Sequence, residues 1–150
     1  PRARRSAKSW VTGLGLKHII EVDNTTLIAP GIAIVGQLYG PPYEEALAID
    51  LANRGLVIVV GCSHPGIVSI VEKAVRDLGR KPYAVIGGLH LAGAPYPEVL
   101  DVVEKLESMG VKILIPLHYS GDIARDLASK QLSFNEATEG HVCCWIELAN

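Results

Sequence analysis

Three of the five histidines in the sequence each follow a strand-like apolar run, in a short turn that contains glycine. The runs and their histidines are 56–60 with His64, 83–86 with His90, and 111–115 with His118. Because the carboxyl ends of parallel strands open on one edge of a sheet, three imidazoles placed there could converge on one point. Imidazole is a common ligand of zinc and similar metals. The pattern therefore predicts a divalent metal site, zinc before manganese or iron, although each histidine alone is more typical of a hydrogen-bonded turn residue.

Glycine flanks all three of these histidines. The flanking residues are Gly61, Gly87, Gly88 and Gly121. Glycine permits a close approach of the backbone to a ligand, although tight strand-to-helix turns use glycine in any case. The turn 87–93 could also present backbone N–H groups to a phosphate, but the lysine and hydroxyl pattern of a phosphate loop is absent. We expect four residues of the two later turns to contact a substrate or its phosphate, namely Gly87, Gly88, His90 and Ser120.

Cys62 and Ser63 directly precede His64, an order that suggests a nucleophile with its base. Adjacent residues seldom point at each other as a proton relay requires, and the Gly-x-Ser-x-Gly turn of serine hydrolases is absent. We interpret Cys62 as a packed small residue or as a partner of a metal ligand. No residue of this chain is therefore assigned a catalytic role.

Four other polar residues are interpreted without a chemical role. Glu44 and Glu45 open an apolar segment and are taken as solvent-exposed charges beside a helix or a strand. His18 and His141 lie on expected strands without glycine turns, so they are taken as hydrogen-bonded structural residues, with His141 a minor candidate for the site.

The elements that must position the histidines are strands and helices in alternation. Short β-type runs predict antiparallel strands with tight connections at 18–22, 25–29 and 32–35. Further along, apolar residues three and four apart predict helices at 66–78, 96–109 and 122–130, and a last strand is expected at 141–148. This order predicts an α/β chain with a mixed sheet. We expect a single domain over 1–150, of which the basic leader at 1–9 is expected to be disordered.

Composition narrows the classes of function. The 150 residues are 49% hydrophobic and 20% charged, which is ordinary for a globular domain. The net charge of -2 favours neither nucleic acid nor a membrane surface as a partner, and no apolar run approaches the roughly 20 residues of a membrane span. The cysteines Cys62, Cys143 and Cys144 are odd in number, and the adjacent pair lies in an expected apolar strand. No disulfide framework is predicted, and the cytoplasm is the expected location.

Three segments together resemble a known family: GLVIVVGCSHPGI at 55–67, VIGGLHL at 85–91 and PLHYSG at 116–121. They look like the C-terminal half of the metallo-β-lactamase superfamily. Within it, they are most similar to the branch of the dihydropterin ribofuranosyl-aminobenzene phosphate synthases, over roughly 32–148. The resemblance implies half of an αββα sandwich, a mixed sheet with helices on one face.

The resemblance also implies roles for the histidines. His64 and His118 would bind different metals of a binuclear pair. His90 stands where many members carry Asp or Cys, and would be either a ligand or a contact of the substrate phosphate. The family's His-x-His-x-Asp-His motif is absent from this sequence. We therefore expect this chain alone to bind metal poorly and to hydrolyse little.

Three hypotheses follow for the function. The first is a metal-dependent hydrolase, or a related transferase, that acts on a phosphorylated pterin-like or ester small molecule and is present as a partial chain. Its remaining ligands would come from an N-terminal half or from a partner chain. The second is a non-catalytic assembly module that dimerises through an exposed sheet face. The third is an α/β domain that binds a nucleotide or phosphate without metal.

Overall fold

A computed structural model describes residue 11, residues 13–15 and residues 18–130 of the chain. Within those residues, six strands form one sheet whose order in space is their order in the chain. The strands are β1 (Thr26–Ala29), β2 (Ile32–Tyr39), β3 (Tyr43–Leu51), β4 (Gly55–Val59), β5 (Pro82–Gly87) and β6 (Ile113–Pro116). Three helices follow β4, namely α1 (Ile67–Leu78), α2 (Tyr96–Met109) and α3 (Asp122–Lys130).

The sheet is mixed because two kinds of connection build it. The first four strands pair antiparallel through short turns, of which Pro30 and Gly31 form the first. β4, β5 and β6 pair parallel to one another. A parallel neighbour requires a long crossover, and α1 and α2 supply the two that are needed. The predicted α/β class and the mixed sheet are confirmed.

The helices are amphipathic and share one buried cluster with one face of the sheet. α1 ends at Gly79, which adopts the left-handed conformation (φ 65°) and donates its N–H to the carbonyl of Val75. The cluster joins all three helices to the strands through residues such as Ala74, Val103, Ala128, Ile58 and Leu114. None of the described helices has the length and apolar character needed to cross a membrane.

The opposite face of the sheet is apolar as well. Alternation along the strands places Val57, Ala84, Ile113 and Ile115 on this side, where they form a second cluster. That cluster contains no helix residue among those that the structure describes. The expected half-sandwich, with its helices on one face of the sheet, is therefore what the described residues form.

The structure corrects the sequence-based prediction at the start of the chain. Residues 18–22 form no strand, and His18 is exposed there. Beyond its pairing with β1, β2 bonds instead to the residues that precede β1. The backbone N–H of Gly36 donates to Thr25 Oγ1, and that of Gln37 donates to the carbonyl of Asp23. These irregular bonds replace the ladder that a further strand would need. The expected strand at 141–148, with His141, Cys143 and Cys144, and the leader at 1–9 lie outside the described residues.

Candidate metal centre

The three histidine turns lie side by side at one edge of the sheet. β4, β5 and β6 are parallel neighbours, and residues Val59, Ile86 and Ile115 near their carboxyl ends are in register. Hydrogen bonds tie the turns together, because Gly88 donates to the carbonyl of Gly61 at 2.9 Å and Leu117 to that of Gly87 at 2.8 Å. The parallel arrangement that the sequence predicts for these strands is confirmed.

Each turn contains one residue in an unusual backbone conformation. Ser63 (φ 62°), His90 (φ 56°) and Tyr119 (φ 60°) are the non-glycine residues with positive φ in the described parts of the chain. This conformation is uncommon for residues with a side chain and persists where the surrounding structure enforces it. Such residues cluster at binding and active sites, so their placement makes this edge the candidate functional site.

The imidazole rings are arranged in a row with a tyrosine. The ring centroids of His64 and His90 are 4.7 Å apart. His90 in turn stacks against Tyr119 at 5.3 Å with 24° between the ring planes, and Tyr119 lies 5.9 Å from His118. The structure therefore brings His64 and His90 together, while Tyr119 contacts both His90 and His118.

Glu44 is part of this edge, contrary to the interpretation of it as a solvent-exposed charge. Its Oε1 lies 2.6 Å from His64 Nδ1, and its Oε2 accepts the backbone N–H of His64 at 2.8 Å. The Glu44 side chain is only 15% exposed. Glu45, which points to the other side of the strand, is exposed as expected.

The topology of the sheet explains why Glu44 reaches the site. β3 runs antiparallel to β4, so β3 begins beside the end of β4, where His64 follows. Gly40, in the turn before β3, packs so closely on the backbone of His64 and Pro65 that a side chain has no room there. Recognising β3 in the sequence would have placed Glu44 at this edge, but the acidic start of the segment hid the strand.

Glu44, Cys62 and His64 form a cluster of donor atoms. One ligand atom from each lies within 4.8 Å of the other two, and this is the one such group of three or more among the residues described. Carboxylate, thiolate and imidazole are the ligand types that zinc takes in proteins. His90 and His118 are not members of this group, so their predicted role as ligands stays a prediction.

Two buried serines in these turns differ in their hydrogen bonding. Both side chains are fully buried. Ser120 Oγ accepts the backbone N–H of Leu89 at 3.1 Å, whereas Ser63 Oγ has no hydrogen-bond partner among the described residues. A buried polar atom without a partner requires an explanation, and a bound ion or water is one of the usual ones. The orphaned hydroxyl beside Cys62 and His64 fits a centre that holds a metal.

The predicted phosphate contacts take part in bonds within the turns. The backbone N–H of Gly88 donates to the carbonyl of Gly61, and the carbonyl of Gly87 accepts the N–H of Leu117. Ser120 Oγ accepts the N–H of Leu89. These groups fix the mutual positions of the three turns. Contact of Gly87, Gly88, His90 or Ser120 with a substrate phosphate stays a prediction.

No family model matches the chain. The chain is 44% identical over 85 residues to the 7,8-dihydropterin-6-methyl-4-(beta-D-ribofuranosyl)-aminobenzene-5'-phosphate synthase of Methanocaldococcus jannaschii, a match that covers 56% of this chain and 29% of that protein. It is 31% identical over 86 residues to an uncharacterized protein of the same organism, covering 57% of this chain and 31% of that one. The matched region thus spans less than a third of the length of either relative.

A solved structure shares the fold. It is the crystal structure of Tm1679, named a metal-dependent hydrolase of the beta-lactamase superfamily, with a TM-score of 0.64 and 24% sequence identity. The match covers 74% of this chain and 50% of that one. The resemblance indicated by the sequence is therefore confirmed. The described residues form part of a metallo-β-lactamase-like fold, and the synthase relative belongs to the branch that the sequence resembles.

Proposed function

We propose that this chain supplies part of the metal site of a metal-dependent hydrolase or a related transferase. The observation that carries the proposal is the convergence of the three histidine turns on one sheet edge, where the His64 and His90 rings are 4.7 Å apart. At the same edge, donor atoms of Cys62 and His64 lie within 4.8 Å of each other, and Glu44, the third member of that group, contacts the ring of His64. The fold shared with a metal-dependent hydrolase supports the same conclusion.

His64 and His118 are the proposed metal ligands, and zinc is the proposed metal, with manganese and iron as the alternatives that metal analysis would distinguish. His90 is either a third ligand or a contact of the substrate. A metal held there would lower the pKa of a water molecule and stabilise charge that develops on the substrate. The thiol of Cys62 is free, which is compatible with the reducing cytoplasm that we propose as the location.

The proposed substrate is a phosphorylated pterin-like molecule or an ester. The relative named as a dihydropterin phosphate synthase supports the pterin-like class. The ring of Tyr119 supports it independently, because 53% of this residue is exposed and the ring is stacked against His90 beside the proposed metal ligands. An exposed, supported aromatic ring can stack on a planar substrate.

We propose that full activity requires ligands in addition to those described above. The His-x-His-x-Asp-His motif of the family is absent, and the structural match covers half of its neighbour. We propose that the remaining ligands come from a further segment or from a partner chain. The isolated chain is then expected to bind metal with reduced affinity and to show little hydrolysis.

Equilibrium dialysis against graded zinc concentrations tests the proposal, because it detects weak binding. The unmodified chain should bind zinc measurably at the higher concentrations, and His64→Ala and His118→Ala, which each remove a proposed ligand, should bind clearly less. His18→Ala is the matched control, because His18 is an exposed histidine outside the three turns. Equal zinc content in all four proteins would contradict the ligand assignment.

A second candidate function is an assembly module, favoured by the apolar sheet face opposite the helices. Ile86 and Val59 are only half-buried on that face, beside the cluster of Val57 and Ile115. Two such faces packed together would bury apolar surface in a symmetric dimer. Sedimentation equilibrium separates the candidates: a dimer that Ile86→Lys dissociates favours assembly, and a monomer at all concentrations contradicts it.

A further inference from the structure

Glu44 makes two contacts with the same histidine. Its Oε2 accepts the backbone N–H of His64 at 2.8 Å, and its Oε1 lies 2.6 Å from the ring nitrogen Nδ1. We propose that Glu44 is a positioning residue, which fixes the Nδ1–H tautomer of His64 and presents Nε2 to the metal. This inference rests on the proposed function, in which His64 is a metal ligand.

The chemistry of a carboxylate suits this role. An ionised carboxylate only accepts hydrogen bonds, so the ring nitrogen that faces it must carry the proton. The two contacts of Glu44 then use a donor from the backbone and a donor from the ring of one residue. Bonds to an ionised acceptor are short and strong, and the observed lengths agree with that. Two anchoring points on one histidine define both the position of its backbone and the rotation of its ring.

The same geometry argues against Glu44 as a metal ligand. Both of its oxygen atoms are already engaged by His64, Oε2 by the backbone N–H and Oε1 by the ring nitrogen Nδ1. The two nitrogens of an imidazole point in divergent directions, so a metal bound at Nε2 lies on the side of the ring away from Glu44. Carboxylate, histidine and metal in this order are a recurrent arrangement that orients the ligand and raises its basicity.

The surroundings keep this contact in place. The Glu44 side chain is 15% exposed and that of His64 is 28% exposed, so water competes little for the carboxylate. Glu44 belongs to β3, which is paired with strands on both sides, and the preceding turn packs on the backbone of His64 at Gly40. The acceptor is therefore fixed by the sheet before any metal binds.

Nitrogen-15 NMR of the metal-free 150-residue chain at mildly alkaline pH measures the tautomer directly. We expect His64 to be protonated at Nδ1. In Glu44→Gln, the amide has only one acceptor oxygen for the two donors of His64, so the fraction of this tautomer should fall. Zinc affinity, measured by competition with a chelator, should fall about 10-fold to 100-fold.

Glu45→Gln is the matched control, because it removes the same charge from the next residue, whose exposed side chain contacts Gln37. It should leave both the tautomer and the zinc affinity of the chain unchanged. Circular dichroism of each variant verifies that it is folded, and the tautomer of the unmodified chain tests the inference even if Glu44→Gln does not fold.

An Nε2–H tautomer in the unmodified chain would overturn the assignment. So would zinc affinities of Glu44→Gln and Glu45→Gln within about twofold of each other, since outer-sphere partners of a ligand normally contribute more. A different result separates the two proposals: if the unmodified chain has the Nδ1–H tautomer and binds no zinc, the proposed function fails while the effect of Glu44 on the His64 tautomer stands.

Discussion

The rings of His64 and His90 lie 4.7 Å apart, with 51° between their planes, although they belong to turns that follow different strands. The contact exists because β4 and β5 are parallel neighbours and because Gly88 bonds to Gly61 between the two turns. A Cβ atom at Gly88 would collide with the backbone of Gly61 and His118. The close packing of the turns, and not either turn alone, therefore creates the candidate metal centre.

The two buried serines of the site should respond in opposite ways to alanine. Ser120→Ala leaves the buried N–H of Leu89 without its acceptor and should cost about 1–3 kcal/mol of unfolding free energy. Ser63→Ala removes a hydroxyl that has no partner among the described residues, so the stability of the metal-free chain should change little or rise. Urea unfolding of the two variants measures this difference. Equal losses would show that Ser63 Oγ has a partner in the folded protein.

Gly40 should not tolerate a side chain. An alanine Cβ there would overlap the backbone of His64 and Pro65, so the hairpin between β2 and β3 must shift. We expect Gly40→Ala to lower the unfolding free energy by about 1–3 kcal/mol and to weaken the Glu44 contact with His64. Gly13→Ala is the control, since nothing lies near its added atom. Urea midpoints that are the same for the two variants would contradict the close packing.

Tyr119 should contribute to the binding of a planar substrate. Its exposed ring stacks on His90, and its backbone carbonyl accepts the N–H groups of Leu91 and Ala92, which hold the residue in place. Tyr119→Ala should weaken binding of a pterin by about threefold to tenfold, and Tyr119→Phe should retain it. Fluorescence titration with a pterin measures both. Equal affinity of the alanine and phenylalanine variants would argue against stacking.

A carboxylate remote from the site should make part of the stability depend on pH. Hydrogen bonds from Lys73 and Thr25 hold the pKa of Asp77 below its ordinary value, and the bond from Thr25 joins α1 to the segment before β1. A lowered pKa means that the stabilisation is present above the unfolded-state pKa and is lost as the pH falls through the lower, folded-state value. Because the group is largely exposed, the contribution should be below about 1 kcal/mol.

Unfolding of the unmodified chain and of Asp77→Asn between neutral and acidic pH tests this dependence. The unmodified chain should be the more stable one near neutrality, and the difference should disappear in the acidic range below the ordinary pKa of 3.8. Asp101→Asn, which removes an exposed pair with Lys105 on α2, is the control. A difference that stays constant across this range would exclude a role for Asp77 ionisation.

Much of the fold could be predicted from local patterns. The continuous aliphatic run of β4 and the helical spacing of α1 and α2 are both visible within a short stretch of sequence. A glycine follows the end of each of these two helices. The shared position of His64, His90 and His118 followed from the parallel order of strands. Such features are encoded by neighbouring residues, so the sequence alone was sufficient.

The features that could not be predicted depend on residues distant in sequence. Glu44 begins an aliphatic segment and looks like a surface charge until β3 is paired antiparallel with β4, which brings it to His64. The apolar run at 18–22 looks like a strand, but among the residues that the structure describes no strand pairs with it. Pairing between strands is a property of the whole sheet, and the alternation within one segment does not reveal it.

Crystals of the chain grown with zinc would test the metal centre most directly, through anomalous scattering measured on both sides of the zinc absorption edge. We predict a peak about 2.0–2.1 Å from Nε2 of His64, the usual zinc–nitrogen distance, with Glu44 still bound to Nδ1. A map without a zinc peak at this sheet edge, or with the metal on Nδ1 in place of Glu44, would contradict the proposed centre.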